Sequence, residues 1–158
     1  MKNYNITLVV YDFDGVMTDN KVYIDQTGNE MVQVSRADGL GISKIKEMNI
    51  EQIILSSETN TVVSARAQKL GLFCLQGVSR KEEALKKYCE KNKFKLNNVA
   101  FLGNDINDFQ AMELVKYRFS PSDAHSSIKN ISTKVFKSKG GDGVIRELYD
   151  LLNKKEGE

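Results

Sequence analysis

No feature constrains this chain more than the stretch Ile6–Asp19, ITLVVYDFDGVMTD. Ile6, Leu8, Val9 and Val10 form a short apolar run rich in β-branched residues, the composition of a strand buried on both faces of a parallel sheet. Asp12 and Asp14 follow directly, and Gly15 then lets the chain turn. Open α/β sheets bind their ligands outside the carboxyl ends of the strands, which is where this acidic pair falls. Carboxylates abutting a buried strand are costly unless a cation or hydrogen bonds offset them. A single aspartate there reads as a turn cap. Two, in the spacing D-x-D-G-x-x-T-D, read as a site that gathers a cation.

The remaining chain alternates strand and helix signals. Val22 and Ile24, then Met31, Val32 and Val34, flank Gln26-Thr27-Gly28-Asn29 and predict a β-hairpin. Ala37–Met48 predicts an amphipathic helix, Gln52–Leu55 a buried strand, Thr61–Leu70 a helix ending near Gly71, and Leu72–Leu75 a strand. Helix over Lys81–Lys91, strand over Val99–Leu102, helix over Asp108–Leu114 and strand over Tyr117–Phe119 follow. Val135–Phe136 is the last expected strand, and a closing helix follows Gly140-Gly141 with Val144, Ile145, Leu148, Leu151 and Leu152 on its inner side. Such alternation implies parallel β-α-β units in a doubly wound sheet. A length of 158 residues suits one domain over 1–158, without repeat, linker or low-complexity segment.

Composition removes several function classes. The net charge of +2 gives no reason to expect nucleic acid or an anionic membrane as partner. The basic run over Arg80–Lys95 is interleaved with Glu82, Glu83 and Glu90 and reads as a solvated helix face. Cys74 and Cys89 make neither a disulfide framework nor a zinc site, and the lone His125 is expected on the surface or in a loop. With no signal peptide and no apolar run long enough to span a bilayer, the expected location is cytoplasmic.

The Ile6–Asp19 stretch resembles the signature of the haloacid dehalogenase-like (HAD) phosphohydrolase superfamily. The resemblance implies a Rossmann-like core, Asp12 as a nucleophile that forms an aspartyl-phosphate, and Asp14 as general acid/base. It also implies phosphate binding by Ser56, Lys81 and Asn107, with Asp108 supporting the loop around them. A carboxylate attacking an anionic phosphoryl group is repelled unless charge is neutralised, so a hard divalent ion with oxygen ligands is expected, Mg²⁺. Its implied ligands are Asp12, Asp14 and the acidic motif GNDIND, Gly103–Asp108. This motif departs from the superfamily's Gly-Asp opening by placing Asn104 first, so Asn104 or Asp105 completes the set with one negative charge fewer.

Further segments, DQTGNE (Asp25–Glu30), SRADGLG (Ser35–Gly41), QGVSRK (Gln76–Lys81) and GGDGVIRE (Gly140–Glu147), are similar to the capless sugar-acid phosphatases. These include the 3-deoxy-D-manno-octulosonate (KDO) 8-phosphate phosphatases and the nonulosonate (KDN or sialic acid) 9-phosphate phosphatases, and the module also occurs beside acylneuraminate cytidylyltransferases. Only a hairpin flap fills the space of a cap domain, so cover for the site is expected from neighbouring subunits of a homotetramer. Ser57-Glu58 resembles the nonulosonate type, which implies substrate contacts by Glu58, Arg66 and Lys69; Arg36 and Asp38 are further candidates for lining the site. The leading expectation is therefore a nonulosonate 9-phosphate phosphatase, with a KDO 8-phosphate phosphatase second. The competing class is a catalytically weakened module serving oligomerisation beside a cytidylyltransferase.

Overall fold

The first strand, β1 (Leu8–Tyr11), is buried along its whole length at the centre of a parallel sheet in the computed structural model, which describes residues 4–154. The ends of the expected 1–158 domain lie outside those residues. β4 (Glu51–Leu55) pairs with β1 on one side and β6 (Val99–Leu102) on the other, in register Val10↔Ile53 and Val10↔Phe101. β5 (Phe73–Leu75), β7 (Tyr117–Ser120) and β8 (Lys134–Val135) complete the order β5-β4-β1-β6-β7-β8.

The two-residue period of a strand explains why β1 shows no polar alternation. Val9 and Tyr11 enter one core with Ile42 and Ile45 of helix α1 (Arg36–Glu47), Val63 and Ala67 of α2 (Val62–Leu70), and Ile145 and Leu148 of α6 (Val144–Leu152). Leu8 and Val10 enter the opposite core with Leu85 and Cys89 of α3 (Lys81–Asn92), Met112 of α4 (Phe109–Glu113) and Ile128 of α5 (Ser126–Ile131). Helices therefore cover both faces. Strand order runs outward in opposite directions from the β1–β6 pair, and this reversal opens a crevice at the strands' carboxyl ends.

The flap is a separate antiparallel pair, β2 (Tyr23–Ile24) with β3 (Glu30–Met31). Gly28 takes φ +85° at its tip, a value that suits glycine. The Asp25 carboxylate accepts from Thr27 N, Thr27 Oγ1, Asn29 N and Asn29 Nδ2. Those bonds hold its carboxyl well below the usual carboxylate range.

Boundaries move where local capping decides them. α1 begins at Arg36, one residue before the expected Ala37, because Ser35 Oγ accepts from Asp38 N at 3.3 Å. The helix expected over Asp108–Leu114 instead opens as a 3₁₀ turn, Ile106–Asp108, with a reciprocal cap between Asp105 and Asp108. The last strand is Lys134–Val135 rather than Val135–Phe136, and Phe136 turns into the core. Helix α5 gave no periodic signal, being only six residues long.

Candidate active site

The tips of β1, β4 and β6 surround an open cleft of about 310 Å³. The β1 tip contributes Asp12 and Asp14, the β4 tip Ser56 and Glu58, and the β6 tip Asn104, Asp105 and Asn107. Asp12 is 4 % exposed, and its Oδ1 accepts from Phe13 N and from Lys81 Nζ, both at 2.7 Å. Lys81, the first residue of α3, is 1 % exposed and bridges to Asp108 Oδ1, also at 2.7 Å. Asp108 Oδ2 in turn accepts from the backbone N–H of Asn104 at 2.9 Å and of Asp105 at 3.3 Å. One buried ammonium thus joins the β1 acid to the loop after β6.

Electrostatics follow from that geometry. Burial, then the Asp108 carboxylate, push the Asp12 carboxyl up to about 8, while Lys81 pulls it the other way. Burial alone would lower Lys81, but the two carboxylates more than offset it and hold the ammonium above its ordinary value. Burial and the nearby Glu58 also raise Asp14, against the Thr18 hydroxyl, which lies 3.4 Å from Asp14 Oδ1. When ionised, two carboxylates and one ammonium leave an excess negative charge in a buried place, with Asp14 adding to it.

Among the described residues no group of three His, Cys, Asp or Glu side chains stands ready for a metal. An amide fills the gap. Asn104 is 6 % exposed, and its Oδ1 is buried without a hydrogen-bond partner, in the same wall as Asp12 and Asp14. An orphaned amide oxygen beside two carboxylates is the oxygen-only donor set that a hard divalent cation takes. Asp105 is less free, because its Oδ1 accepts from Ile106 N at 2.7 Å as a cap.

Not every candidate from the sequence reaches the cleft. Asp38 does not line it: the side chain is 2 % exposed and accepts from Gly143 N, Ile145 N and Arg146 N, at 3.3, 2.8 and 3.1 Å. It is the cap that fastens α6 to α1. Asp38→Ala is therefore expected to cost about 2–4 kcal/mol of stability, since it strips a charged acceptor from three N–H groups at a helix start. Urea unfolding measures this, and a loss below about 0.5 kcal/mol, the size of an ordinary surface change, would count against the capping role.

Arg66 turns toward the α1 start, donating from Nη2 to Ser35 O at 3.1 Å, and Lys69 is exposed in the last turn of α2. Arg36 is exposed at the first position of α1. None of these three lines the cleft within this chain. Conversely, Asn20 and Thr59, which the sequence does not mark, line it together with Ser57. Only the position of Asn20, directly after the acidic motif, and its left-handed φ of +66° hint at a special place. Asn60 Nδ2 also donates to Glu30 Oε2 of the flap at 3.3 Å, tying β3 to the loop after β4.

A doubly wound sheet with an aspartate pair at its central tip, a buried lysine bonded to the first of the pair and, among the described residues, no cap domain defines the class. Residues 42–148 match the model of the haloacid dehalogenase-like hydrolases, and the chain belongs to that family. More particularly, it is 34% identical over 158 residues to the 3-deoxy-D-manno-octulosonate 8-phosphate phosphatase of Salmonella typhi, covering 99% of this chain and 84% of that protein. Among solved structures it is similar to a HAD family hydrolase from Streptomyces avermitilis, with TM-score 0.92, 39% identity and coverage of 100% and 95% of the two chains. It is also similar to the KDO 8-phosphate phosphatase of Moraxella catarrhalis, solved with magnesium, phosphate and KDO. There the TM-score is 0.91 and identity 26%, over 95% of this chain and 87% of the other. No helix among the described residues is long and apolar enough to cross a membrane.

Proposed function

We propose that this chain is a Mg²⁺-dependent phosphatase that removes the terminal phosphate of a 2-keto-3-deoxy sugar acid, with KDO 8-phosphate as its substrate. The observation that carries the chemistry is the single cleft in which Asp12, tied to buried Lys81, faces Asp14 and the unpartnered Asn104 oxygen. The similarity to KDO 8-phosphate phosphatases supports the sugar and moves the expected substrate away from the nonulosonates.

Asp12, Asp14 and Asn104 would hold the cation, which supplies charge neutralisation between nucleophile and phosphoryl group. Asp12 Oδ2, which carries none of the bonds that fix Oδ1, attacks phosphorus, and the bond from phosphorus to the sugar oxygen breaks. Asp14, which burial and Glu58 bias toward its protonated form, gives a proton to the departing alkoxide. As a carboxylate it then takes a proton from the water that attacks the aspartyl-phosphate, so inorganic phosphate leaves and Asp14 is again protonated. Ser56 and Asn107 line the cleft and would bond the phosphoryl oxygens, while Lys81, buried behind the cleft wall, acts on the site through Asp12.

A second reading, nonulosonate 9-phosphate, is favoured by one residue. Glu58 lines the cleft, its Oε1 accepting from Thr59 N and Asn60 N at 2.7 and 2.8 Å. The other oxygen is then available to a substrate hydroxyl. Phosphate release from KDO 8-phosphate and a nonulosonate 9-phosphate decides between them, the former expected to show kcat/KM about tenfold or more higher. The reverse order would exchange the sugars. Mg²⁺-dependent turnover of neither would reject the enzyme reading in favour of an oligomerisation module.

The flap supports assembly. Tyr23, Ile24 and Met31 are 67, 65 and 64 % exposed, and an isolated two-stranded hairpin is marginal in water. Burial of these side chains against neighbouring copies, in a homotetramer, would both stabilise the hairpin and bring cover to an otherwise open site.

A further inference from the structure

Behind the turn that carries Asp14 runs the loop over residues 137–143, packed backbone against backbone. A Cβ on Gly140 would overlap the carbonyl oxygen of Gly15. One on Gly141 would lie 2.5 Å from Thr18 C and 2.6 Å from Asp19 N. Gly141 takes φ +68°, and its N–H donates to Val16 O at 2.8 Å. Only glycine permits so close an approach with that backbone. The Asp14 turn is meanwhile fixed from inside: Phe13 O accepts from Met17 N and Thr18 N, and Thr18 Oγ1 accepts from Gly15 N and Asn20 N.

The loop is itself held from outside. Asp123 Oδ1 accepts from Gly140 N at 3.0 Å, Ser138 O accepts from Ser122 N at 3.0 Å, and the Glu147 carboxylate accepts from Lys137 N and Ser138 N. Asp38 takes the next N–H, that of Gly143. A segment fixed at both ends and pressed on a catalytic turn acts as a rigid backstop.

We infer that Gly140 and Gly141, anchored by Asp123, are positioning residues that set the Asp14 carboxylate through the turn at Gly15–Asp19. The inference rests on the reading of Asp14 as acid/base and cation ligand. Displacing reacting groups by about 1 Å costs on the order of 100-fold in rate, so a methyl group at Gly140 acts on chemistry as well as folding.

The test compares kcat and KM on p-nitrophenyl phosphate and KDO 8-phosphate, with the Mg²⁺ dissociation constant from calorimetry as a readout independent of turnover. Gly140→Ala is expected to lower kcat about 100-fold and to weaken Mg²⁺ binding, with KM changed far less. Gly41→Ala is the control for a methyl group that strains the fold elsewhere: its Cβ would sit 2.9 Å from Arg146 Cα, so it lowers the melting temperature while leaving kcat. Should Gly140→Ala fail to fold, the exposed Asp123 decides. Asp123→Ala removes the anchor and lowers kcat about three- to tenfold, the worth of one hydrogen bond, whereas Asp123→Asn keeps an acceptor oxygen and restores it. Asp123→Ala equal to wild type in kcat and Mg²⁺ affinity, or Asp123→Asn no better than Ala, overturns the inference and leaves the phosphatase standing. A wild-type protein that neither binds Mg²⁺ nor hydrolyses either ester removes both.

Discussion

Asp12→Asn is expected to abolish turnover, lowering kcat by about 10⁴-fold or more, the scale at which losing a covalent nucleophile registers. The amide keeps the shape of the carboxylate, so the cleft and the Lys81–Asp108 pair survive while the oxygen that attacks phosphorus is gone. Single-turnover phosphate release with enzyme in excess measures this without interference from product release. The same substitution should also change how Mg²⁺ binding depends on pH. Below about 8 the wild-type Asp12 carboxyl is protonated in the metal-free protein, so the cation must displace a proton. Its affinity then rises with pH, by up to about tenfold per unit, and levels off above that pKa. Asn carries no such proton, and most of that slope should vanish. Retained turnover in Asp12→Asn, or an unchanged slope, would remove Asp12 from the reaction.

The acidic pair was legible because its evidence is local: two carboxylates within three residues, closing an apolar strand, can be weighed on the sequence itself. Asn104 was legible as a departure from a motif, though not as an orphaned oxygen, which only burial reveals. Asp38 went the other way. Beside the hairpin it looked like a site residue, and its partners, the N–H groups of Ile145 and Arg146, stand more than a hundred positions away. Arg66 and Lys69 share a helix face at three-residue spacing, but Val63 and Ala67 decide which side of α2 is buried, and that rotation carries Arg66 to Ser35. Lys81 read from resemblance as a phosphate ligand near a surface arginine. Its near-total burial and double carboxylate contact follow from packing between α3 and the β1 and β6 tips, which no window of the chain displays.

That burial makes Lys81→Met the substitution with the largest expected cost to the fold. The side-chain volume is nearly kept, so cavity formation contributes little, and the loss is electrostatic. Asp12 and Asp108 each lose a 2.7 Å partner while staying 4 % and 0 % exposed. Breaking a buried pair in this way costs about 3–5 kcal/mol, a large share of the roughly 5–15 kcal/mol that holds a domain together. The sign of its pH dependence is fixed by Asp12. Its folded pKa already stands near 8 against 3.8 for the free carboxyl, so the metal-free fold is favoured at low pH and loses stability as pH rises through that range. Lys81 opposes this by lowering Asp12, and without the ammonium the carboxyl moves higher still. The penalty of Lys81→Met should therefore be smaller near pH 7, where Asp12 keeps its proton with or without the lysine, and larger near pH 9.5, where only the wild-type Asp12 ionises. Urea unfolding of the metal-free variant and wild type at both pH values reads the difference directly. Equal penalties at the two would mean that the lysine acts by packing alone, and the net charge argued to draw a cation into the cleft would lose its basis.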